Sequence, residues 1–349
     1  MSVFELDPLR DPRWSVFVDS HPHSSVFHTP QWLEALRKTY AYRPVTFTTC
    51  APGIPLTNGI VFCEANSWLT GSKWVSLPFS DHCEPLVNGP STLPALLSDI
   101  ADRKPGHIGF AEVRPRFAGL TSLSGWIAYM QCWLHIVDLQ PGLEQLYSRL
   151  HKDSIQRKIR RAEREGVVVE QGRSDLLLRD FYHLMVLTRR RHRVPPQPLA
   201  WFRNLAACFQ DQLTFRVARV AGQPIASIMT LRHKNTVTYK YGCSDERYHQ
   251  LGGMPRLFWE TIQEAKAERL LELDLGRSDL DNEGLARFKD HLGAARTTAT
   301  YWRFGRNSDQ PEGGLARRTL KSPLVQTVLS RLPTPLFRLA GEVLYRHAG

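Results

Sequence analysis

The chain has 349 residues, 42% apolar, 10% aromatic and 23% charged, which is globular composition; at roughly 100–200 residues per domain it predicts two domains. Its apolar runs are strand-length and broken by charge, which excludes a bilayer-spanning helix of about 20 residues. The acidic start Met1-Ser2-Val3-Phe4-Glu5-Leu6-Asp7 lacks the basic and then apolar order of a secretory signal, so the expected address is the cytoplasm.

The net charge of +11 is unevenly placed: residues 1–148 hold 10 Lys and Arg against 13 Asp and Glu, and residues 149–349 hold 35 against 21. An anionic partner is therefore expected at the second half. Six cysteines, at 50, 63, 83, 132, 208 and 243, are scattered without a CxxC pair and read as reduced thiols.

In the first half the pattern predicts strands at 45–49, 59–64 and 74–79, a helix over 91–102, and strands at 109–113 and 127–138. Where the charge changes sign, Leu146, Leu150, Ile155, Ile159 and Ala162 recur at three to five residues within a basic run that ends at Gly166. This is a basic amphipathic helix, read as the hinge between two domains. The second half then alternates: a strand at 167–170, helices at 175–191 and 199–209, a meander of strands at 214–220, 225–231 and 236–241, and a loop at 245–253. A helix opening at Pro255 buries Phe258, Ile262 and Ala265; strands follow at 271–275 and 298–304, with a short helix between them. Residues 315–347 carry six bases against the single acid Glu342, are interrupted by Pro323, Pro333 and Pro335, and are expected to lie on a surface.

Three stretches carry candidate chemistry. In Leu273-Asp-Leu-Gly-Arg-Ser278, a strand end followed by Gly276 lets backbone, Arg277 and Ser278 approach a ligand, and Lys289 adds a compact cation two turns later. The plain alternative is a glycine loop in which Arg277 pairs with Asp274 or Asp279. Gly252 and Gly253, ahead of a helix, could present free backbone N–H groups to a pyrophosphate or simply serve a tight turn. Asp81, His82, Cys83 and Glu84 are sequence neighbours that cannot all face one metal ion, and they read as a polar loop offering acid/base groups. The basic run Arg189-Arg-Arg-His-Arg193 and the basic helix at 150–164 would attract phosphates at long range, although most charge runs are solvated faces. No GxSxG, P-loop or GxGxxG motif stands in a strand–helix setting.

With these residues in view, the chain resembles the FemAB-like branch of the GCN5-related N-acetyltransferase (GNAT) superfamily, including its BioF-type acetyltransferase domains. The likeness rests on Trp74-Val-Ser-Leu-Pro-Phe79 with the following Asp-His-Cys-Glu-Pro, on Arg157-Lys-Ile-Arg-Arg-Ala162, and on Asp274-Leu-Gly-Arg-Ser278 through Arg287-Phe-Lys289 to Gly293-Ala294. The resemblance implies an α+β fold: a tandem pair of GNAT-type acyltransferase domains, 1–148 and 149–310, each a mixed, mostly antiparallel sheet flanked by helices, with a basic tail over 311–349. It also implies transfer of an acyl or aminoacyl group to an amine on a cell-envelope, peptidoglycan or exopolysaccharide precursor. Nothing is expected to be tightly bound and no metal is expected; the co-substrate would be an acyl-CoA or an aminoacyl-tRNA.

By the same resemblance Phe288 and Lys289 lie close to the donor, where Lys289 would neutralise the oxyanion formed as an amine attacks the carbonyl. Asp274 and Asp81 are then the candidate bases. Gly252, Gly253, Arg277 and Ser278 are expected donor contacts, and His82, Glu84, Tyr241 and Asn282 are expected acceptor contacts. The acceptor is expected to be a small molecule or a lipid-linked glycan or peptide, with tRNA as a second partner. The tail, docked as an interfacial helix, would hold the protein on the inner face of the membrane.

Two departures stand out. His249-Gln-Leu-Gly-Gly-Met254 replaces the Gln/Arg-x-x-Gly-x-Gly/Ala pattern of simple acetyl-CoA enzymes, and no stretch is long enough for a coiled-coil arm. The rival reading is a non-catalytic GNAT-like binding protein for an anionic glycolipid or an RNA.

Overall fold

A computed structural model describes residues 2–68, 71–89, 91–117, 125–305 and 322–347. In chain order these form β1 (Phe4–Leu6), α1 (Pro12–Ser20), α2 (Pro30–Tyr40), β2 (Arg43–Thr48), β3 (Ile60–Ala65), β4 (Ser72–Ser76), α3 (Thr92–Arg103), β5 (Ile108–Val113) and β6 (Trp126–Asp138). Next come α4 (Leu143–Arg149), a π-turn at Lys152–Gln156, α5 (Arg157–Arg164), β7 (Val168–Gly172), α6 (Asp175–Arg191) and α7 (Leu199–Phe209). The chain continues with β8 (Leu213–Val220), β9 (Gln223–His233), β10 (Thr236–Ser244), α8 (Gly253–Ala267), β11 (Glu272–Asp279), α9 (Glu283–His291) and β12 (Ala295–Gly305). Two helices, α10 (Pro323–Arg331) and α11 (Thr334–His347), close it.

The chain divides into two compact units, the first comprising residues 1–132, 298–322 and 343–349, the second residues 133–297 and 323–342. The expected boundary at 148/149 thus falls inside the second unit, because α4 and α5 bury their apolar face there. Leu146, Leu150, Ile155, Ile159 and Ala162 all belong to the core around α8. The basic helix is accordingly a packed part of the second unit rather than a hinge. Of the tail, residues 311–321 lie outside the described residues; α10 and the start of α11 belong to the second unit and residues from Val343 to the first.

In the first unit β1 to β4 run antiparallel, β4 and β5 are parallel, and β12 pairs antiparallel with β5. Its core gathers Val45, Phe47, Phe62, Trp74 and Trp126 with Leu96, Leu97 and Ile100 of α3. Two helices the pattern did not signal, α1 and α2, each begin with a capping side chain followed by proline. Asp11 accepts the Arg13 N–H and Thr29 accepts the Trp32 N–H, with Pro12 and Pro30 in first-turn positions where a missing N–H costs nothing. The strand expected over 74–79 stops at Ser76, and 77–84 is loop.

In the second unit β7 to β10 form the antiparallel meander, β11 pairs in parallel with β10, and β6 lies on the far side of β11. Leu273 and Leu275 point from β11 into a core with Ile225, Ile228, Leu257, Phe258 and Ile262, while Asp274 between them faces the other side. Each unit is therefore a mixed, mostly antiparallel sheet flanked by helices.

Candidate active site

The central feature of the second unit is a pair of parallel strands that separate. β10 and β11 are in register at Thr236–Glu272, Val237–Leu273 and Thr238–Asp274, and their ladder ends there. β10 continues to Ser244 paired only with β9, after a register shift between Tyr239 and Tyr241. The facing backbone edges of 239–244 and 275–279 are thus open to one another, and buried backbone polar groups must find partners.

Side chains hold both arms in this course. On β10, Thr188 of α6 accepts the Ser244 N–H at 2.8 Å and donates its hydroxyl to the Ser244 carbonyl at 3.0 Å. On β11, the Asp274 carboxylate accepts the Gly276 N–H at 2.7 Å, which closes a tight turn with Gly276 in the left-handed region at φ +68°. The Lys289 ammonium donates to the Gly276 carbonyl at 3.2 Å and the Arg277 carbonyl at 2.7 Å.

Lys289 is only 3% exposed. It reaches β11 because α9 is started by Asn282, whose side chain accepts the Leu285 N–H at 3.2 Å. Ser278, on the open part of β11, is buried, and its hydroxyl has no hydrogen-bond partner among the described residues.

Behind Lys289 stands His135 of β6, fully buried, its Nδ1 3.5 Å from the Asp290 carboxylate. Burial, helped by the positive charges of Lys289 and Arg296, pushes the imidazole down to about 4, against the opposing pull of Asp290. Hydrogen bonding from Arg296 holds the Asp290 carboxyl below its ordinary range.

The structure gives several expected site residues other tasks. Gly252, at φ +77°, lies under α5: a Cβ there would sit 2.2 Å from the Lys158 carbonyl oxygen. A Cβ on Gly253 would press on Ile225 and Ala226 at 3.1–3.2 Å. Both glycines allow close packing at the start of α8. Tyr241 is buried with its hydroxyl accepting the Trp201 Nε1–H at 2.9 Å, so it braces α7. Phe288 packs edge-on to Phe258 with ring centroids 5.7 Å apart.

Asp274, expected as a base, shapes the β11 turn. Arg277 lies 3.5 Å from Asp279 and is partly buried, so its plain alternative also holds. Sequence reasoning missed Thr188, His135 and Tyr239. The Tyr239 ring lies against Phe258 and occupies space that any side chain at Gly242 would take.

Asp81, His82 and Glu84 belong to the first unit. The Asp81 carbonyl accepts the Tyr301 hydroxyl at 2.6 Å, and His82 is buried edge-on to Phe27. Glu84 accepts the backbone N–H groups of Arg116 and Phe117 at 2.6 and 2.8 Å. Its carboxylate therefore organises a loop. Among the described residues no three His, Cys, Asp or Glu side chains are grouped to hold a metal ion.

Residues 149–290 match the family model described as an acetyltransferase (GNAT) domain. The second half carries a GNAT acyltransferase domain. The chain as a whole shares its fold with FemX, at 13% identity and TM-score 0.70, over 88% of this chain and 98% of that one. L-PGS from Bacillus licheniformis is similar at 15% identity and TM-score 0.53, over 93% and 96% of the two chains. A tandem GNAT protein from the clavulanic acid biosynthesis pathway is similar at 10% identity and TM-score 0.53, over 86% and 97%. No match was found among curated proteins. The parting of β10 and β11 lies within the matched residues, with Ser278 on β11 and Lys289 reaching its backbone from α9.

Proposed function

We propose that the protein transfers an aminoacyl group from a charged tRNA to an amine on a lipid-linked cell-envelope or exopolysaccharide precursor. The observation that carries this reading is the opening between β10 and β11 together with the packing of the α5 backbone on the start of α8. With the Lys158 carbonyl seated on Gly252, the start of α8 offers poor room for the pyrophosphate of an acyl-CoA. Next to it, the π-turn exposes Lys152 and α5 exposes Lys158 and Arg160, none of which has a carboxylate partner among the described residues. Such a face suits a polyanion. The similarity to FemX and L-PGS supports an acceptor belonging to the envelope.

In this reading the ester carbonyl of the donor lies against the open edge of β11. The neutral amine attacks it, a C–N bond forms, the C–O bond to the ribose breaks, and the amine proton ends on the departing ribose oxygen. Lys289 fixes the β11 arm and brings its ammonium charge close to the developing oxyanion, an interaction strongest in the transition state. Ser278 supplies a hydroxyl for the bound aminoacyl group. Holding amine and ester together contributes the rest.

The test is transfer of a labelled amino acid from charged tRNA to an amine acceptor, with filter binding of tRNA at several salt concentrations. Lys289→Ala is expected to lower turnover by about 100- to 1,000-fold while tRNA binding is kept. Lys158→Glu with Arg160→Glu should weaken tRNA binding and flatten its salt dependence. A saturable thermal shift with an acyl-CoA, together with no binding of tRNA, would replace the donor in this reading.

A further inference from the structure

We infer that α11 is a membrane-docking helix whose partner is an anionic lipid bilayer. Its inner face is fixed by two residues. Phe337 is fully buried with the Arg190 guanidinium 4.8 Å from its ring centroid, and Gly341 is so close to the chain that a Cβ would meet the Pro196 carbonyl at 1.9 Å. Arg190 also donates to the carbonyls of Ser330 and Leu332, at 2.9 and 2.8 Å, which anchors the turn between α10 and α11.

The helix is therefore clamped in one rotation. It turns Leu336, Leu339 and Val343, spaced three and four residues apart, to the outside, each more than half exposed. Val328 on α10 is exposed as well. Three large aliphatic side chains on one face of a 14-residue helix are more than scattered surface apolar residues, since the same helix spends its inner face on the core.

What covers this face is indicated by the charge around it. Exposed Arg331 precedes the helix and exposed Arg346 ends it. An apolar stripe with basic flanks is the pattern of a helix lying in a headgroup layer, where aliphatic side chains enter the acyl boundary and arginines meet anionic lipid. A third observation agrees. The last described residue of α11, His347, stacks edge-on with Trp68 at 5.3 Å and binds the Ser67 hydroxyl at 3.1 Å, and Trp68 is 83% exposed. An exposed indole against the last residue of α11 suits the membrane–water interface. Both prolines at the helix starts, Pro323 and Pro335, occupy first-turn positions, so they shape these helices rather than shorten them.

The inference does not depend on the donor or acceptor assigned above, and its test reads binding rather than turnover. Full-length protein is sedimented with vesicles of phosphatidylcholine alone or mixed with phosphatidylglycerol. It should bind the mixed vesicles, bind phosphatidylcholine weakly, and be partly released by salt. Leu336→Glu with Leu339→Glu, both at exposed positions, should weaken binding by about tenfold or more with an unchanged circular dichroism spectrum. Arg331→Glu with Arg346→Glu should remove the preference for phosphatidylglycerol. No binding to either vesicle, or equal binding by the leucine variant, would overturn the inference. So would a concentration-dependent dimer abolished by the leucine substitutions, which would give this face to a second copy of the chain.

Discussion

Among the described residues each unit contains a parallel strand pair, β4–β5 and β10–β11, and the two pairs end differently. In the first unit every residue of β4 is laddered to β5, from Ser72 beside Ile108 to Ser76 beside Val113. The space beyond is filled by the 77–84 loop, which Arg114 ties down through the carbonyls of Leu77 and Ser80 at 2.8 and 3.1 Å. In the second unit the ladder stops after three pairs and side chains hold the arms apart. A parallel pair zipped to its end has satisfied its own backbone, whereas a pair that parts leaves backbone groups able to hold a substrate. One layout thus yields a closed structural unit and an open one.

What closes the first unit is a buried charge network. Glu112 accepts from Arg114 at 2.7 Å and from Arg303 at 2.8 Å, all three residues are buried, and the Arg303 guanidinium lies 3.6 Å from the centroid of the Tyr129 ring. Removing the carboxylate would take from the buried Arg114 and Arg303 the anion that both bind. Glu112→Ala should therefore cost about 3–5 kcal/mol of stability, the largest effect expected here. A urea titration showing a loss below about 1 kcal/mol would mean that the network does not hold this unit closed.

The open unit can be probed at its β10 arm. Thr188→Val keeps the shape of the side chain but leaves the N–H and carbonyl of Ser244 without their partner, which should cost about 1–3 kcal/mol. Turnover should fall further than stability alone explains, because the arm is freed to move. A variant that loses stability but keeps full kcat would detach the splay from the chemistry.

A further effect is the pH dependence set by His135. Its folded value of about 4 lies below its ordinary 6.5, so between those pH values the unfolded chain binds a proton that the native one does not. Stability should accordingly be lost as pH falls from about 6.5 toward 4. His135→Phe should make that loss shallower. Urea midpoints measured across this range check it, and parallel curves for variant and parent would remove His135 from the account.

Much of this fold can be read from residue order. The helices at 175–191 and 199–209, the meander, and the inward face of Phe258, Ile262 and Ala265 follow from period and punctuation, as the structure bears out. The helices α1 and α2 escaped notice because their signal lies in caps, Asp11-Pro12 and Thr29-Pro30, rather than in a long apolar period. At the site, motif reading picked out 274–278 and Lys289 as neighbours but not the packing and bracing in which Gly252, Gly253 and Tyr241 take part. Gly252 carries no visible trace of the helix that lies on it, Gly253 none of the strand residues Ile225 and Ala226 against it, and Tyr241 none of the Trp201 that holds it.

The sequence by itself determined the composition of the two cores, the basic second half, the order of strands and helices, and the cluster Asp274, Gly276, Lys289, because these depend on local period and on residue type. Only the tertiary structure decided which parallel pair opens and which stays shut. Thr188 lies far along the chain from Ser244, as Arg303 does from Glu112, and side-chain hydrogen bonds between such distant residues leave no periodic mark in the sequence.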